Sequence, residues 1–327
     1  MIAEQEFWRS HHLSFRVLED IWAARQPSTV EKYCYALRSF FTYSIITTSH
    51  ISLPVNVISA ARYLSNLRER GTAKSSIKLA LVSLKWINQF FPGTSGLNDP
   101  LKDGFLDRIV ESAKRNMETK KNQKLPFSKD MIRDMLTLRK NPTLTELRDA
   151  LIPSLSFMLS LRNDELIHLS CRHMTRTNQG VEFQIVSSKT DIYRKGKTLF
   201  LAEQTGENSV FSLLLNYMKE GGLKMGENKF LFGKIQTQRG RQCINGSENI
   251  SYQVCRDVIK EKVKKLGFNP DNYGTHSSRS GAATSLAPDV TEFELMVSGR
   301  WADARSLKNY VEINTNRRYE ISRNLFL

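Results

Sequence analysis

The chain has few cysteines, and none of them forms a closely spaced pair. Its four cysteines are Cys34, Cys171, Cys243 and Cys255, and no C-x-x-C spacing occurs. Scattered thiols are typical of reducing compartments, in which disulfides are rare. Cys171 and His173 lie close together, but no second ligand pair follows them, so we expect no zinc or other metal site.

The chain also lacks a long apolar segment. Its longest apolar stretch, residues 151–161, is interrupted by Pro153 and three serines and is too short to span a bilayer. Residues 1–12 are interrupted by charged side chains, unlike a secretory signal. We therefore expect an intracellular protein without membrane association. It would be nuclear if the host is eukaryotic, and otherwise cytoplasmic or carried in a virion.

The common signatures of nucleotide hydrolysis, zinc proteolysis and serine hydrolysis are missing as well. No G-x-x-x-x-G-K-[ST], H-E-x-x-H or G-x-S-x-G motif occurs. What is abundant is positive charge, because 48 lysines and arginines outnumber 33 acidic residues and give a net charge of +15. Cationic side chains release condensed counterions from phosphates, so nucleic acid is the expected partner. An anionic membrane surface is the less favoured alternative, because no basic amphipathic helix with a clean aromatic face occurs. We expect no cofactor.

A length of 327 residues favours two domains. Apolar residues at helical spacing fill the first third, and Ser28 with Glu31 has the spacing of a helix capping box. We predict a helical domain at 1–112, a basic linker at 113–126 and a mixed domain at 127–327, with a β-hairpin over 181–202.

Six lysines are candidates for contacts with DNA phosphates. Three lie on the polar faces of a predicted helix over 73–91, and three lie in the basic linker, although such lysines are also typical of a solvated surface. They are Lys74, Lys78, Lys85, Lys120, Lys121 and Lys124.

The most specific pattern lies in the last third of the chain. His276 and Arg279 form an H-x-x-R motif, Gly299-Arg300-Trp301 follows, and Tyr310 comes nine residues after the tryptophan. An H-x-x-R motif alone is weak, because His173 and Arg176 form a second one without the residues that follow. The complete string is much more specific than any of its members.

This string resembles the tyrosine recombinase (phage-integrase-like) family, and the resemblance extends over essentially the whole chain. Residues 160–165 are similar to the family's G-L-R-x-x-E stretch, with Ser160 in place of glycine, and so provide Arg162 and Glu165. The family's lysine corresponds to Lys189 in the predicted hairpin, where Lys195 and Lys197 remain alternatives. The sequence around His276 and Trp301 is most similar to recombinases of DIRS-like or Crypton-like mobile elements.

The resemblance implies a fold that is mainly α, with a small β-hairpin or sheet in the catalytic domain. A helical, SAM-like core-binding domain would precede a mixed α/β catalytic domain. The family's enzymes act as tetramers on two DNA sites, and we expect the apolar tail, residues 321–327, to dock on a neighbouring protomer. The alternative is that the tail folds back on its own domain.

The resemblance also implies the catalytic roles. Tyr310 would attack DNA and form a 3′-phosphotyrosine, without metal or ATP. Arg162 and Arg279 would bind the scissile phosphate, as permanently charged guanidiniums can. Lys189 would protonate the leaving 5′-oxygen, and His276 would assist proton transfer at the tyrosine.

Two further residues would support this chemistry. Trp301 would pack near the phosphate and donate its indole N–H, and Glu165 would orient Arg162 or His276. Two other functions remain open: a non-catalytic DNA-binding protein descended from such an enzyme, and a type IB-like topoisomerase.

Overall fold

The computed structural model describes most of the chain between residues 23 and 311. The described residues are 23–91, 100–102, 104–117, 124–186, 196–204, 206, 209–238, 240–308, 310–311, 319 and 323. The chain divides into two compact units, residues 1–120 and 121–327. Residues 118–123 of the predicted 113–126 linker lie outside the described residues, and its first residues, 113–116, are helical.

Every regular element described in the first unit is a helix. Its helices are α1 (Pro27–Thr48), α2 (Val57–Glu69), α3 (Lys74–Asn88) and α4 (Phe105–Asn116). Apolar residues at helical spacing turn one face of each helix into a shared core, which is rich in aromatic rings. Phe40 and Tyr63, for example, meet edge to face with their ring centroids 5.3 Å apart.

The predicted cap of the first helix is wrong. Helix α1 begins at Pro27 with Gln26 as its N-cap, and no side chain caps it. Proline suits the first helical position, because its φ is already helical and its missing N–H would have no partner there. Ser28 therefore lies inside the first turn rather than at its cap.

The second unit is built around one buried helix. Its helices are α5 (Lys129–Leu136), α6 (Leu144–Met158), α7 (Asn163–Ile167), α8 (Val210–Gly221), α9 (Tyr252–Lys265), α10 (Ser277–Leu286), α11 (Glu292–Gly299) and α12 (Ala304–Lys308). A capping box of Thr143 and Glu146 starts α6. Residues 150–157 of α6 are all buried, because α5, α8, α9 and α10 pack around this helix.

Two small antiparallel sheets complete the second unit. One contains β1 (Met174–Arg176), β2 (Gly180–Ile185) and β3 (Lys197–Ala202) in that order, and the other contains β4 (Gly233–Gln238) and β5 (Arg241–Asn249). The predicted hairpin over 181–202 corresponds to β2 and β3, which pair from Gly180–Ala202 to Ile185–Lys197. The mainly α fold class with small sheets is confirmed. No helix within the described ranges is long and apolar enough to cross a membrane.

Candidate active site

A strained turn after α6 positions the first arginine. Ser160 has a φ of +47°, a left-handed conformation that side chains other than glycine rarely adopt. The turn is fixed by the Leu161 N–H, which donates to the Ser156 carbonyl at 2.9 Å. It directs the chain into α7 with Arg162 as the N-cap residue.

Glu165 joins two arginines from distant parts of the chain. Its side chain is 1% exposed, and Oε1 accepts from Nη1 of Arg162 at 2.7 Å. Oε2 accepts from the Arg162 backbone N–H at 2.9 Å and from Nη2 of Arg300 at 2.6 Å. The carboxylate therefore holds both the main chain and the guanidinium of Arg162.

Arg279 lies at the centre of this group of side chains. It projects from α10, is fully buried, and donates from Nη1 to the Ser160 carbonyl and from Nη2 to the Gly299 carbonyl. Its guanidinium carbon lies 4.4 Å from the centre of the Trp301 ring system and 5.4 Å from that of the Tyr310 ring. Arg279 thus connects the turn after α6, the end of α11 and the candidate nucleophile.

Tyr310 packs inside its own unit. Its ring centroid lies 5.4 Å from that of Trp301 and 6.3 Å from that of His276, the exposed residue that precedes α10. The Tyr310 backbone is held at both ends, because its N–H donates to Leu307 and its carbonyl accepts from Thr284. The structure therefore brings the candidate nucleophile and Arg279 together within one polypeptide.

Gly299 is needed for Trp301 to reach this position. A Cβ atom added at Gly299 would overlap the six-membered ring of the indole. The indole is 6% exposed, and its Nε1 has no hydrogen-bond partner among the described residues. Arg279 Nε, in the guanidinium that lies over the same indole, is also buried without a partner there.

The electrostatics of the site favour an anion. Burial raises the pKa of Glu165, but Arg300 and Arg162 outweigh it and hold that pKa below its ordinary value. Burial, followed by the charges of Arg162 and Arg300, lowers the pKa of Arg279. Three guanidiniums around one carboxylate leave an excess of positive charge, which a phosphodiester would neutralise.

The structure thus places Arg162, Glu165, Arg279, Trp301 and Tyr310 in one site, with His276 at its edge. Lys189 and Lys195 lie outside the described residues. Lys197 is exposed at the start of β3, opposite Ile185.

Arg300 is a member of the site that the sequence analysis did not single out. Its guanidinium binds Glu165 and the carbonyls of Leu159 and Ser160. The available signal was its place between Gly299 and Trp301 in the motif.

The second H-x-x-R motif has a different environment. Arg176 lies on β1, donates to Glu203 at 2.6 Å and to the Gly180 carbonyl, and covers the ring of Phe211 at 4.4 Å. Its charge is therefore used in packing the edge of the three-stranded sheet.

The candidate DNA-contacting lysines differ in their surroundings. Lys74 donates to the Lys114 carbonyl at 2.7 Å, and Lys85 pairs with Asp107 at 2.9 Å. Lys124 donates to the Asp271 carbonyl at 2.6 Å. Lys78 is exposed, whereas Lys120 and Lys121 lie outside the described residues.

Metal ligation has no candidate in the described part of the chain. No group of three or more histidine, cysteine, aspartate or glutamate side chains that could hold an ion is found there. The groups that meet around Arg279 are guanidiniums, an indole, an imidazole, a phenol and one doubly paired carboxylate.

Comparison with curated proteins identifies a similar sequence. An integrase/recombinase xerD homolog from Selenomonas ruminantium is 24% identical over 262 residues, which are 80% of this chain and 74% of the relative. A comparison with models of known protein families found no match.

Solved structures share the fold over nearly the whole chain. A XerH site-specific recombinase bound to a palindromic difH substrate gives a TM-score of 0.61 at 16% identity, covering 90% of this chain and 78% of that chain. The Tn1549 transposon integrase in complex with transposon right end DNA gives 0.58 at 15% identity, covering 91% and 94%. A lambda integrase dimer bound to a COC′ core site gives 0.55 at 14% identity, covering 91% and 93%.

Proposed function

We propose that this chain, a member of the tyrosine recombinase family, is a site-specific DNA recombinase that acts through a 3′-phosphotyrosine intermediate. The family, predicted from the sequence, is confirmed by the similarity to the xerD homolog over 80% of the chain and by the shared fold. Its relatives are DNA breaking-and-rejoining enzymes. The chemical mechanism, the roles of the residues and the DIRS-like or Crypton-like subgroup remain predictions.

The packing of Tyr310 beside Arg279 and Trp301 is the observation that carries this proposal. A phosphodiester is an anion that repels nucleophiles, and attack on it concentrates charge on the non-bridging oxygens. Arg162 and Arg279 provide fixed positive charge for those oxygens. The N–H groups of Trp301 Nε1 and Arg279 Nε are buried without partners among the described residues, and such groups cost free energy. A phosphate that accepts from them would offset that cost.

The reaction that we propose is a balanced exchange of esters. The Tyr310 hydroxyl oxygen forms a bond to phosphorus, the bond from phosphorus to the 5′-oxygen breaks, and the tyrosine proton passes to His276 or water. The leaving 5′-oxygen receives a proton, for which Lys189 is the candidate donor. A 5′-hydroxyl of the partner DNA strand then reverses the same steps. The phosphotyrosine replaces the broken phosphoester bond until the strands are rejoined, so no ATP is required.

Cleavage of a nicked DNA substrate tests the proposal. When the short fragment beyond the cleavage site diffuses away, rejoining stops and a covalent protein–DNA adduct accumulates. We expect the full chain to form the adduct and Tyr310→Phe to form none, while DNA affinity stays within about twofold, because only a hydroxyl is lost. Tyr319→Phe, at an exposed tyrosine of the same unit, is the matched control and should behave as wild type.

The same experiment separates the other two functions. A wild-type chain that binds DNA but forms no adduct on any nicked target would indicate the non-catalytic DNA-binding protein. A chain that forms the adduct and relaxes supercoils, but never joins strands from two duplexes, would indicate the topoisomerase.

DNA binding and assembly belong to the same proposal. The structural neighbours include a XerH complex with difH and a Tn1549 integrase complex with transposon DNA. By analogy we propose that the 1–112 domain and the 127–327 domain both contact double-stranded DNA, joined by the basic 113–126 linker. Assembly would be a tetramer on two sites, in which residues 321–327 bind a neighbouring protomer. Apart from residue 323, that tail lies outside the described residues.

A further inference from the structure

The residue before Trp301 has an unusual backbone. Arg300 follows the end of α11 with φ +58° and ψ +44°, a left-handed conformation at a position where helices commonly carry glycine. Any side chain with a Cβ costs more than glycine there. A strained residue at a candidate active site suggests a functional constraint, provided that its side chain makes contacts that require this backbone conformation.

The side chain of Arg300 makes such contacts. Its guanidinium is almost completely buried, and Nη2 lies 2.6 Å from Glu165 Oε2, across 135 residues of sequence. Nη1 and Nη2 also donate to the carbonyls of Leu159 and Ser160 at 3.2 and 3.3 Å. Two of these contacts hold the turn that leads into Arg162, and the third holds Glu165 of α7.

We propose that Arg300 is a positioning residue, which fixes Arg162 through the shared carboxylate of Glu165 and through the turn at Ser160. The guanidiniums of Arg162 and Arg300 bind different oxygens of the carboxylate, so each fixes the orientation in which the other binds. Arg300 does not itself contact Tyr310 in any of the described interactions, whereas Arg279 does. The inference rests on the proposed strand-cleavage function, for which it adds a residue.

An ordinary buried ion pair is the alternative explanation. Such a pair is weak support for stability, because the cost of removing two charges from water offsets their attraction. The arrangement here differs from a simple pair, since one carboxylate serves two arginines and only one of them belongs to the proposed phosphate clamp. The charged groups that act on Glu165 from the packed elements are Arg162, Arg300 and, from α10, Arg279.

Arg300→Gly separates the side chain from the backbone. Glycine accepts the left-handed conformation, so the variant keeps the end of α11 while it loses the guanidinium. We expect adduct formation at saturating nicked DNA to be on the order of 10- to 100-fold slower. This is less than the roughly 10²–10³-fold for losing a group that contacts the reacting oxygen. DNA affinity should change by about threefold or less. Arg176→Gln, which removes a paired and stacked arginine elsewhere in the unit, should cleave at the wild-type rate.

The pH profile distinguishes positioning from simple support of the fold. Arg300 is one of the charges that hold the pKa of Glu165 down against burial, so its removal should raise that pKa. As the pH is lowered, adduct formation by Arg300→Gly should therefore begin to decline at a higher pH than that of wild type, because Glu165 is protonated more readily. Adding Glu165→Gln to Arg300→Gly should remove this earlier decline. The double variant should be no slower than the slower of the two single variants.

The outcomes are clearly separated. The inference would be overturned if Arg300→Gly cleaves within about twofold of the wild-type rate. It would also be overturned if the variant is slower but keeps the wild-type pH profile, and its loss of rate multiplies with that of Glu165→Gln. The proposed function would be unaffected in that case. A wild-type chain that forms no adduct refutes the function, and the inference falls with it.

Discussion

Replacing Ser160 by glycine should stabilise the second unit and leave the proposed chemistry intact. Ser160 is 4% exposed and holds φ at +47°, while its carbonyl accepts from both Arg279 and Arg300. The tyrosine recombinase motif that this stretch resembles has glycine at the same place. The change therefore removes backbone strain and keeps the carbonyl that the two arginines share.

The expected gain is a small difference between two opposing effects. A left-handed conformation costs a residue with a Cβ about 1–2 kcal/mol, whereas glycine loses about 0.5–1 kcal/mol more conformational entropy on folding. We therefore expect Ser160→Gly to increase the free energy of unfolding by about 0.5 kcal/mol. In a unit of this size that corresponds to a rise of roughly 1–2 °C in Tm.

Hydrogen exchange of the α6 amides in the full chain measures the change in the free energy of unfolding within the second unit. Ser49→Gly, followed at the amides of α1, is the matched positive control, because Ser49 also has a positive φ, +58°, at the end of α1 in the other unit. Ser154→Gly is the negative control, since Ser154 lies inside α6, where its hydroxyl donates to Ala150. It should cost about 1 kcal/mol or more. If Ser160→Gly lost more than about 1 kcal/mol while Ser49→Gly gained, the strain argument would be refuted.

Three further predictions concern the proposed reaction. Arg279→Ala should slow adduct formation by roughly 10²–10³-fold, whereas Arg176→Ala should leave single-turnover cleavage almost unchanged; the reverse result would exchange the two H-x-x-R motifs. Lys189→Ala should stall cleavage of normal DNA and recover with a 5′-bridging phosphorothiolate, because sulfur leaves without a proton; recovery of a stalled Lys197→Ala instead would make Lys197 the acid. Deleting residues 321–327 should keep single-site binding and weaken synapsis, as measured by light scattering of DNA complexes; unchanged assembly would contradict docking in trans.

Local sequence patterns were sufficient to predict several of the helices and strands. Apolar spacing predicted α3 to within three residues at either end, because its buried face repeats every three or four positions. Strands β2 and β3 alternate clearly enough to be recognised. Strands β4 and β5 were not predicted, because their polar sequences lack a regular apolar alternation and only a few of their residues are buried.

The two H-x-x-R motifs show where local pattern becomes insufficient. Both have the same spacing, but Arg176 lies on a strand with Glu203 as a nearby acceptor, whereas Arg279 lies in the buried first turn of a helix. Tertiary packing decides which guanidinium meets an indole and a phenol. The sequence reveals that difference only through Trp301 and Tyr310, which follow one motif and not the other.

Arg300 could not be assigned from the sequence for the same physical reason. Its partners, Glu165 and the carbonyls of Leu159 and Ser160, precede it by about 135–141 residues, and no local pattern connects residues at that distance. A carboxylate buried to 1% exposure needs hydrogen-bond donors at both oxygens, and the guanidinium of Arg162 reaches only Oε1. The second arginine thus fulfils a requirement that the burial of Glu165 creates. The strained backbone at residue 300 is tolerated because it brings that arginine to the carboxylate.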